Sequence, residues 1–284
     1  MNFIGIIPAR YASTRFPGKP LVDIGGKPMI QRVYEQAKKV LDTVLVATDD
    51  ERIYNTVLNF GGQAVMTRTD HKCGTDRCLE AYDKWKSEQE HPTPLPPYSP
   101  TPDNEVVIIN IQGDEPFIQP EQIQAIMSCF PTEIATLVKP FTSDDTLADL
   151  ENPNTPKVEF TVESESESES ERKIGTARMF SRSVIPYLRG IPKEEWLTSP
   201  LGGGREGATF YRHIGMYAYR ADILRQITAL PQSPLEKAES LEQLRWLENG
   251  YQIKVAVCNT YSMGIDTPED LAKAISYLKL TTNN

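Results

Sequence analysis

Short apolar runs alternate with stretches of helical periodicity over the first 130 residues of the chain. The runs NFIGII at 2–7, TVLVAT at 43–48 and VVIINI at 106–111 have the length and the branched residues of buried strands. The same patterns predict four further elements: a helix over 29–40, a helix over 51–60, a strand over 64–66 and a helix over 74–88. Strands that alternate with helices are typical of a mainly parallel sheet with helical crossovers.

The later part of the chain has a different pattern. KVEFTV at 157–162 alternates like a strand, an extended pattern resumes at 176–180, and the Glu-Ser repeat at 163–171 lies between them as the tip of a hairpin. Further predictions are a strand over 213–219, a helix over 234–249 that stops at Gly250, a strand over 254–257 and a closing helix with Thr267 as N-cap, followed by Pro268 and Asp270. We therefore expect a mixed sheet.

Two loops lie directly after predicted strands, at the edge where open parallel sheets bind ligands. PARYASTRFPGKP at 8–20 follows the first strand, and QGDEP at 112–116 follows the strand over 106–111. A third segment, 91–102, contains six prolines and is expected to be an exposed loop.

Composition excludes several classes of protein. The 284 residues carry a formal net charge of −9, with five of the acids in the Glu-Ser repeat, and this balance argues against nucleic acid as a partner. No apolar run has the length of a membrane span, and the N-terminus lacks the charge order of a signal peptide. The four cysteines are too scattered for a disulfide framework, and His71 with Cys73 and Cys78 lacks a second ligand pair for zinc. We expect reduced thiols and a cytoplasmic location.

The length allows one large α/β domain or two smaller ones.

The first loop concentrates positive charge in an acidic protein. Arg10, Arg15 and Lys19 lie within ten residues, with Ser13 between them, so cations and accessible backbone N–H groups suit a polyphosphate. The alternative is a solvated loop whose cations pair with surface acids. The Walker phosphate-binding pattern is absent.

Carboxylates follow two of the apolar strands. Asp114 follows the run at 106–111, and Asp266 follows the short strand near the C-terminus. Hard oxygen ligands that face a cationic loop are those with which Mg²⁺ binds beside substrate phosphates. Without a ligand, Asp114 could simply cap a turn.

A third polar group is TDHKCGTDR, which ends at Arg77. Thr75 is a natural helix cap, but a cation in the first turn opposes the helix dipole. Base recognition by Asp76 and Arg77 is therefore an alternative to a purely structural role.

Six motifs occur along the chain in this order: IIPARYASTRFPGKPL, TDHKCGTDR, NIQGDEP, HIGMYAYR, SPLEKAESLEQLR and GIDTPEDL. Their order and approximate spacing resemble those of the 3-deoxy-manno-octulosonate (Kdo) cytidylyltransferase family, and the resemblance covers essentially residues 2–275. The proline-rich loop and the Glu-Ser repeat depart from the family pattern and leave the motifs intact.

The resemblance implies a Rossmann-like nucleotidyltransferase fold, a homodimer, and transfer of CMP from CTP to the anomeric hydroxyl of Kdo with Mg²⁺, for lipopolysaccharide synthesis. It also implies a single domain in which 1–156 and 221–284 form the nucleotide-binding core, and 157–220 contribute a hairpin, a sugar pocket and a dimerisation region. By the same resemblance, the nucleotide would be held by Arg10, Ser13, Arg15, Lys19, Asp76, Arg77 and Gln112. Arg10 and Lys19 would also be catalytic, together with the metal-binding Asp114 and Asp266. The sugar would be contacted by Arg182, His213, Tyr217, Glu239, Glu242 and Gln243.

The sugar-binding group also carries structural alternatives. His213 and Tyr217 are four apart on a predicted strand and point the same way, which packing within the sheet would also explain. Glu239, Glu242 and Gln243 share one face of the predicted helix. Two functional alternatives remain: a cytidylyltransferase for another acidic sugar, such as 8-amino-Kdo or a sialic acid, and a non-catalytic nucleotide-binding scaffold.

Overall fold

The structure is a computed structural model that describes residues 1–12, 16–90, 101–164, 173–198, 210–260 and 264–282. Its strands are β1 (Asn2–Ala9), β2 (Thr43–Thr48), β3 (Gln63–Met66), β4 (Val106–Asn110), β5 (Ile134–Pro140), β6 (Lys157–Ser164), β7 (Ile174–Ser181), β8 (Tyr211–Arg220) and β9 (Ile253–Val257). Its α-helices are α1 (Met29–Lys38), α2 (Glu51–Asn59), α3 (Gly74–Glu90), α4 (Pro120–Met127), α5 (Leu147–Glu151), α6 (Ala221–Thr228), α7 (Pro234–Glu239), α8 (Glu242–Glu248) and α9 (Pro268–Thr282). Short 3₁₀ turns lie at Lys19–Leu21, Asp103–Glu105 and Lys193–Glu195.

The chain divides into two compact units. The first comprises Met1–Gln124, Ala218–Thr228 and Ser262–Asn284, and the second Ala125–Tyr217 and Ala229–Tyr261. Residues 125–156 and 229–261, which were predicted to belong to the nucleotide-binding core, thus lie in the second unit.

A parallel sheet organises the first unit. Its strands lie in the order β3-β2-β1-β4, and each neighbouring pair is parallel. The side chains of β4 are all buried, as expected for a central strand with both faces covered. Ile24, Met29, Ile265 and Ala274 form a further buried cluster, against which Leu271 and Leu278 of α9 pack.

A mixed sheet organises the second unit, in the strand order β8-β5-β9-β7-β6. β5 and β9 are parallel, whereas β7 is antiparallel to both β6 and β9. Gly175 allows the hairpin strands to approach closely, because a Cβ at this position would lie 2.1 Å from the carbonyl oxygen of Thr161. A separate cluster of buried residues contains Phe141, Leu150, Trp196 and Phe210.

Most of the predicted elements are confirmed, and so is the expectation of an α/β protein with a mixed sheet. The closing helix begins as expected, since Thr267 Oγ1 accepts from the N–H of Asp270 (3.2 Å) and Asp270 Oδ2 accepts from that of Thr267 (3.0 Å). β5, α4, α5 and α6 were not predicted. Residues 91–100 of the proline-rich segment and 165–171 of the Glu-Ser repeat lie outside the described residues.

The continuous helix predicted over 234–249 is wrong. The chain forms α7 and α8 instead, and between them Ser240 has left-handed backbone angles (φ 51°, ψ 46°). The guanidinium of Arg182 donates to the carbonyl oxygens of both Glu239 and Ser240, which stabilises the break. Glu239 therefore ends one helix, whereas Glu242 begins the next.

No described helix combines the length and the apolar character needed to cross a bilayer.

Candidate active site

The carboxyl ends of β1 and β4 form one edge of the first unit's sheet. The two strands are parallel neighbours, with Ile6 opposite Asn110, so the loops that follow them start side by side. α3 begins at the same edge, because a Cβ on Gly74 would lie 3.3 Å from Pro8 and 3.6 Å from the side-chain nitrogen of Asn110. Both predicted ligand loops and a helix N-terminus thus lie together.

Lys19, Asp114 and Asp266 converge at this edge. Lys19 Nζ donates to Asp114 Oδ2 at 2.8 Å and to Asp266 Oδ1 at 3.0 Å. The segments that carry the two acids are joined by a hydrogen bond of 2.9 Å from the N–H of Ile265 to the carbonyl oxygen of Asp114. The three side chains were predicted from separate motifs, and the structure brings them into direct contact.

The charges of this triad are partly screened by solvent. The Lys19 side chain is 14% exposed, and those of Asp114 and Asp266 are 34% and 47% exposed. Burial by itself would lower the pKa of Lys19, but the two carboxylates outweigh it and raise that pKa above 10.5. Lys19 is therefore a firmly held cation at neutral pH.

A cavity of about 440 Å³ opens beside the triad. It is lined by Arg10, Lys19, Gln112, Gly113, Asp114 and Asp266, among others. Gly113 is needed for the close approach of the loop to β1, because a Cβ there would lie 2.9 Å from the carbonyl oxygen of Pro8. Ser13 and Arg15, also predicted for this site, lie outside the described residues.

The carboxylate pair has the donor chemistry that Mg²⁺ requires. Asp114 and Asp266 already share one cationic partner, the Lys19 ammonium, so positive charge is accommodated between them. Within the described ranges, no group of three or more His, Cys, Asp or Glu side chains could hold a metal ion. A magnesium ion here would use two protein carboxylates and complete its coordination with phosphate oxygens and water, which is its common mode of binding in proteins.

Arg77 lies in the first turn of α3 and is buried, with 1% exposure. Its guanidinium donates to Asp49 Oδ2 at 2.9 Å and to Thr67 Oγ1 at 2.6 Å. This ion pair is the structural reason for a cation in the first helical turn, which the sequence left unexplained. Asp76 is half-buried in the same turn, and its backbone N–H donates to Cys73 Sγ at 3.5 Å. Contact of either side chain with a nucleotide stays a prediction.

The residues predicted for the sugar lie in the second unit, where His213 and Tyr217 are close together. Their ring centroids are 5.2 Å apart, and the His213 ring meets Phe180 edge-on at 5.4 Å. Burial lowers the pKa of His213 to about 4, so its imidazole is neutral at pH 7. Burial also raises the pKa of Tyr217 well above 10, and the nearby carboxylate of Glu242 adds to this effect.

Arg182 and Glu239 form a second group. Glu239 accepts from the Ser181 hydroxyl at 3.0 Å and from the backbone N–H of Arg182 at 2.9 Å. Besides the carbonyls of Glu239 and Ser240, the Arg182 guanidinium donates to that of Pro153 at 2.7 Å. In this structure Arg182 therefore holds main-chain carbonyls.

Glu242 and Gln243 occupy the first turn of α8. Glu242 accepts from Arg245 at 2.7 Å. Gln243 is 4% exposed, and its Nε2 has no hydrogen-bond partner among the residues that the structure describes. A buried amide with spare donor capacity suits a ligand contact.

Two residues of these clusters were not predicted. Asp49 follows β2, and its position after a buried strand was the available signal. Thr136 lies on β5 with 0% exposure and contacts His213 at 3.0 Å. A lone hydroxyl within the apolar sequence IATLV was the signal for Thr136.

Comparisons with known proteins found similar sequences over nearly the full length of the chain. A family model described as cytidylyltransferase matches residues 4–254. The chain is 58% identical to the 3-deoxy-manno-octulosonate cytidylyltransferase of Parabacteroides distasonis, with 98% of each sequence covered. It is 54% identical to the protein of the same name from Bacteroides thetaiotaomicron, with 98% of this chain and 99% of the relative covered.

A solved structure is similar to this chain over nearly its full length and confirms the expected nucleotidyltransferase fold. It is that of CMP:2-keto-3-deoxy-manno-octonic acid synthetase complexed with CTP, at a TM-score of 0.77 and 36% identity. The match covers 99% of this chain and 100% of the other. A 4-diphosphocytidyl-2C-methyl-D-erythritol synthase from Anaerococcus prevotii, at 12% identity and a TM-score of 0.51, shares the fold alone.

Proposed function

This chain belongs to the 3-deoxy-manno-octulosonate cytidylyltransferase family, and we propose that it transfers CMP from CTP to the anomeric hydroxyl of Kdo. The product CMP-Kdo serves lipopolysaccharide synthesis. The observation that carries the proposal is the contact of Lys19 with both Asp114 and Asp266 beside the cavity at the ends of β1 and β4. Three charged side chains from distant segments meet where an α/β sheet binds nucleotides.

The nucleotide is held by the loop after β1 and by the start of α3. Arg10 and Lys19 neutralise the triphosphate. We assign Ser13 and Arg15, which lie between them in the sequence, to the same binding role. Gln112, which also lines the cavity, faces the cytidine together with the first turn of α3, which carries Asp76 and Arg77. The buried pairing of Arg77 with Asp49 supports a role in fixing this turn, so that its N–H groups are held in place.

Asp114 and Asp266 hold Mg²⁺ when the nucleotide is bound. When present, the ion supplies Lewis-acid stabilisation of the phosphate charge. The two carboxylates support this assignment because both accept hydrogen bonds from the Lys19 ammonium, at 2.8 Å and 3.0 Å, and so lie close enough to share one cation.

The reaction needs alignment rather than a protein nucleophile. The anomeric oxygen of Kdo forms a bond to the α-phosphorus, the bond from that phosphorus to the bridging oxygen of the β-phosphate breaks, and pyrophosphate leaves. The hydroxyl proton is released to solvent. Arg10 and Lys19 stabilise the charge that develops on the leaving group, and positioning of the two substrates supplies the remaining acceleration.

The sugar is contacted by residues of the second unit, namely Arg182, His213, Tyr217, Glu239, Glu242 and Gln243. Gln243 Nε2 has no hydrogen-bond partner within the described part of the chain, and the imidazole of His213 is neutral; both features support contacts to sugar hydroxyls. We further propose a homodimer through the region of 157–220, and a cytoplasmic location, where CTP is available.

The direct test is pyrophosphate release from CTP, Kdo and Mg²⁺, measured against a panel that adds 8-amino-Kdo and a sialic acid. We expect the highest kcat/KM with Kdo. A higher kcat/KM with another acidic sugar would reassign the substrate. CTP binding without turnover on any sugar would instead support a non-catalytic scaffold.

A further inference from the structure

One buried hydroxyl in the second unit is the centre of several hydrogen bonds. Thr136 lies on β5 with 0% exposure. Its Oγ1 is 2.8 Å from the carbonyl oxygen of Met216, 3.4 Å from that of Ile214 and 3.0 Å from Nε2 of His213.

The position of the hydroxyl proton follows from these contacts. A threonine hydroxyl has one proton to donate and two lone pairs, whereas a carbonyl oxygen only accepts. The proton must lie toward Met216, because any other orientation would leave two acceptor oxygens facing each other at 2.8 Å. Thr136 therefore accepts from His213, and Nε2 of His213 carries the hydrogen.

The His213 ring is also fixed in orientation and charge. It packs edge-on against Phe180 and lies beside the ring of Tyr217. Burial keeps its pKa at about 4, so the ring is neutral and holds one proton. A neutral imidazole protonated at Nε2 has an unprotonated Nδ1, which accepts a hydrogen bond.

We propose that Thr136 is a positioning residue that holds His213 as the Nε2–H tautomer and so offers Nδ1 as an acceptor for a hydroxyl of the sugar substrate. The inference rests on the proposed function and adds to it a residue that makes no contact with substrate itself. It also assigns the chemistry that His213 recognises. A neutral nitrogen that accepts a hydrogen bond selects a donor such as a hydroxyl of the sugar. A protonated imidazolium would instead favour the carboxylate of the sugar.

Nitrogen NMR of protein labelled with ¹⁵N-histidine tests the tautomer without reference to activity. The chain has three histidines, and the signals that disappear in His213→Gln identify this one. At pH 7 we expect Nε2 to resonate as a protonated nitrogen and Nδ1 as an unprotonated one. Thr136→Ser should preserve this pattern, and Thr136→Val, which removes the hydroxyl at similar volume, should lose it. Protonation at Nδ1 in the wild type would overturn the proposal, even if Thr136→Val failed to fold.

Steady-state kinetics tests the consequence for the sugar. Loss of one oriented hydrogen bond should raise KM for Kdo about tenfold in Thr136→Val, with KM for CTP unchanged and Thr136→Ser close to wild type. Equal increases in both KM values, or a serine variant as impaired as the valine variant, would overturn the positioning role. If the wild type turned over no sugar, the proposed function would fail, while the NMR experiment would still decide the tautomer.

Discussion

The close approach of Gly113 to β1 predicts a measurable cost for adding a single methyl group. In Gly113→Ala the new Cβ would lie 2.9 Å from the carbonyl oxygen of Pro8 and 3.4 Å from a methyl of Ile7. An ordinary contact between carbon and carbonyl oxygen is about 3.3–3.6 Å, so the groups must separate by about 0.5 Å. β1 is paired with strands on both sides, and the loop that carries Asp114 therefore has to move.

The magnitude follows from this displacement. Overpacking at a close-packed position costs about 1–3 kcal/mol, and Tm falls by about 2–4 °C for each kcal/mol in a chain of this size. A misplacement of catalytic groups by about 1 Å lowers the rate about 10²-fold. A displacement of about 0.5 Å therefore predicts a loss of about tenfold in kcat/KM. The loss should be visible as slower pyrophosphate release at saturating Mg²⁺.

Gly264→Ala is the matched control. This glycine lies two residues before Asp266, and a Cβ there would meet no atom of the described residues within 4 Å. We expect kcat/KM within about twofold of wild type, as for a neutral surface substitution. Wild-type activity in Gly113→Ala, or an equal loss in the control, would refute the reasoning from the close approach.

Substitutions at four further positions test other predictions from the structure. Asp114→Asn and Asp266→Asn should each reduce kcat by about 10²-fold or more. The free energy of unfolding should change by about 1 kcal/mol or less, because the ion pairs of both acids with Lys19 are partly exposed. Near-normal pyrophosphate release in either variant would remove that residue from the metal site. The wild-type protein should lose stability as pH falls from 6.5 to 4, because the pKa of His213 is about 4 when folded and 6.5 when unfolded, so the unfolded chain binds the proton first. His213→Gln should reduce this loss, measured by urea unfolding across the pH range. An unchanged pH profile would contradict this assignment. Thr267→Ala should cost about 1 kcal/mol of stability through loss of the cap to the N–H of Asp270, whereas Thr267→Ser should restore it.

Local patterns predicted the elements that depend on local chemistry. The run TVLVAT predicted a strand over 43–48, and β2 has the same bounds, because length and branched residues suffice there. The segment 134–140 was missed because Thr136 and Lys139 interrupt its apolar residues. Burial of that threonine depends on partners from β8, which its neighbours in sequence do not reveal.

The break at Ser240 shows what local sequence lacks. The apolar spacing from Leu235 to Leu244 continues through it as if one helix were present. The left-handed conformation is held by Arg182, which is 58 residues away in sequence. Arg77 is a similar case, because its partner Asp49 lies 28 residues earlier.

Two members of the triad, Lys19 and Asp114, were accessible from the sequence for a topological reason, whereas Asp266 follows no strand of the first unit's parallel sheet. Parallel strands place their carboxyl ends at one edge, so residues that follow β1 and β4 are expected to be neighbours. What the sequence lacked was the contact itself: the Lys19 ammonium lies between the two acids, which motif spacing does not specify.

The contact of Lys19 with Asp266 also has a consequence for folding. The two residues are 247 positions apart in sequence, and Lys19 and Asp114 are 95 apart. Contacts of such long range require most of the loop-closure entropy to be overcome before they form. The triad is therefore expected to be among the last features to assemble during refolding. Recovery of activity should then lag behind recovery of helical and strand signals, which makes catalysis a reporter of the completed chain topology.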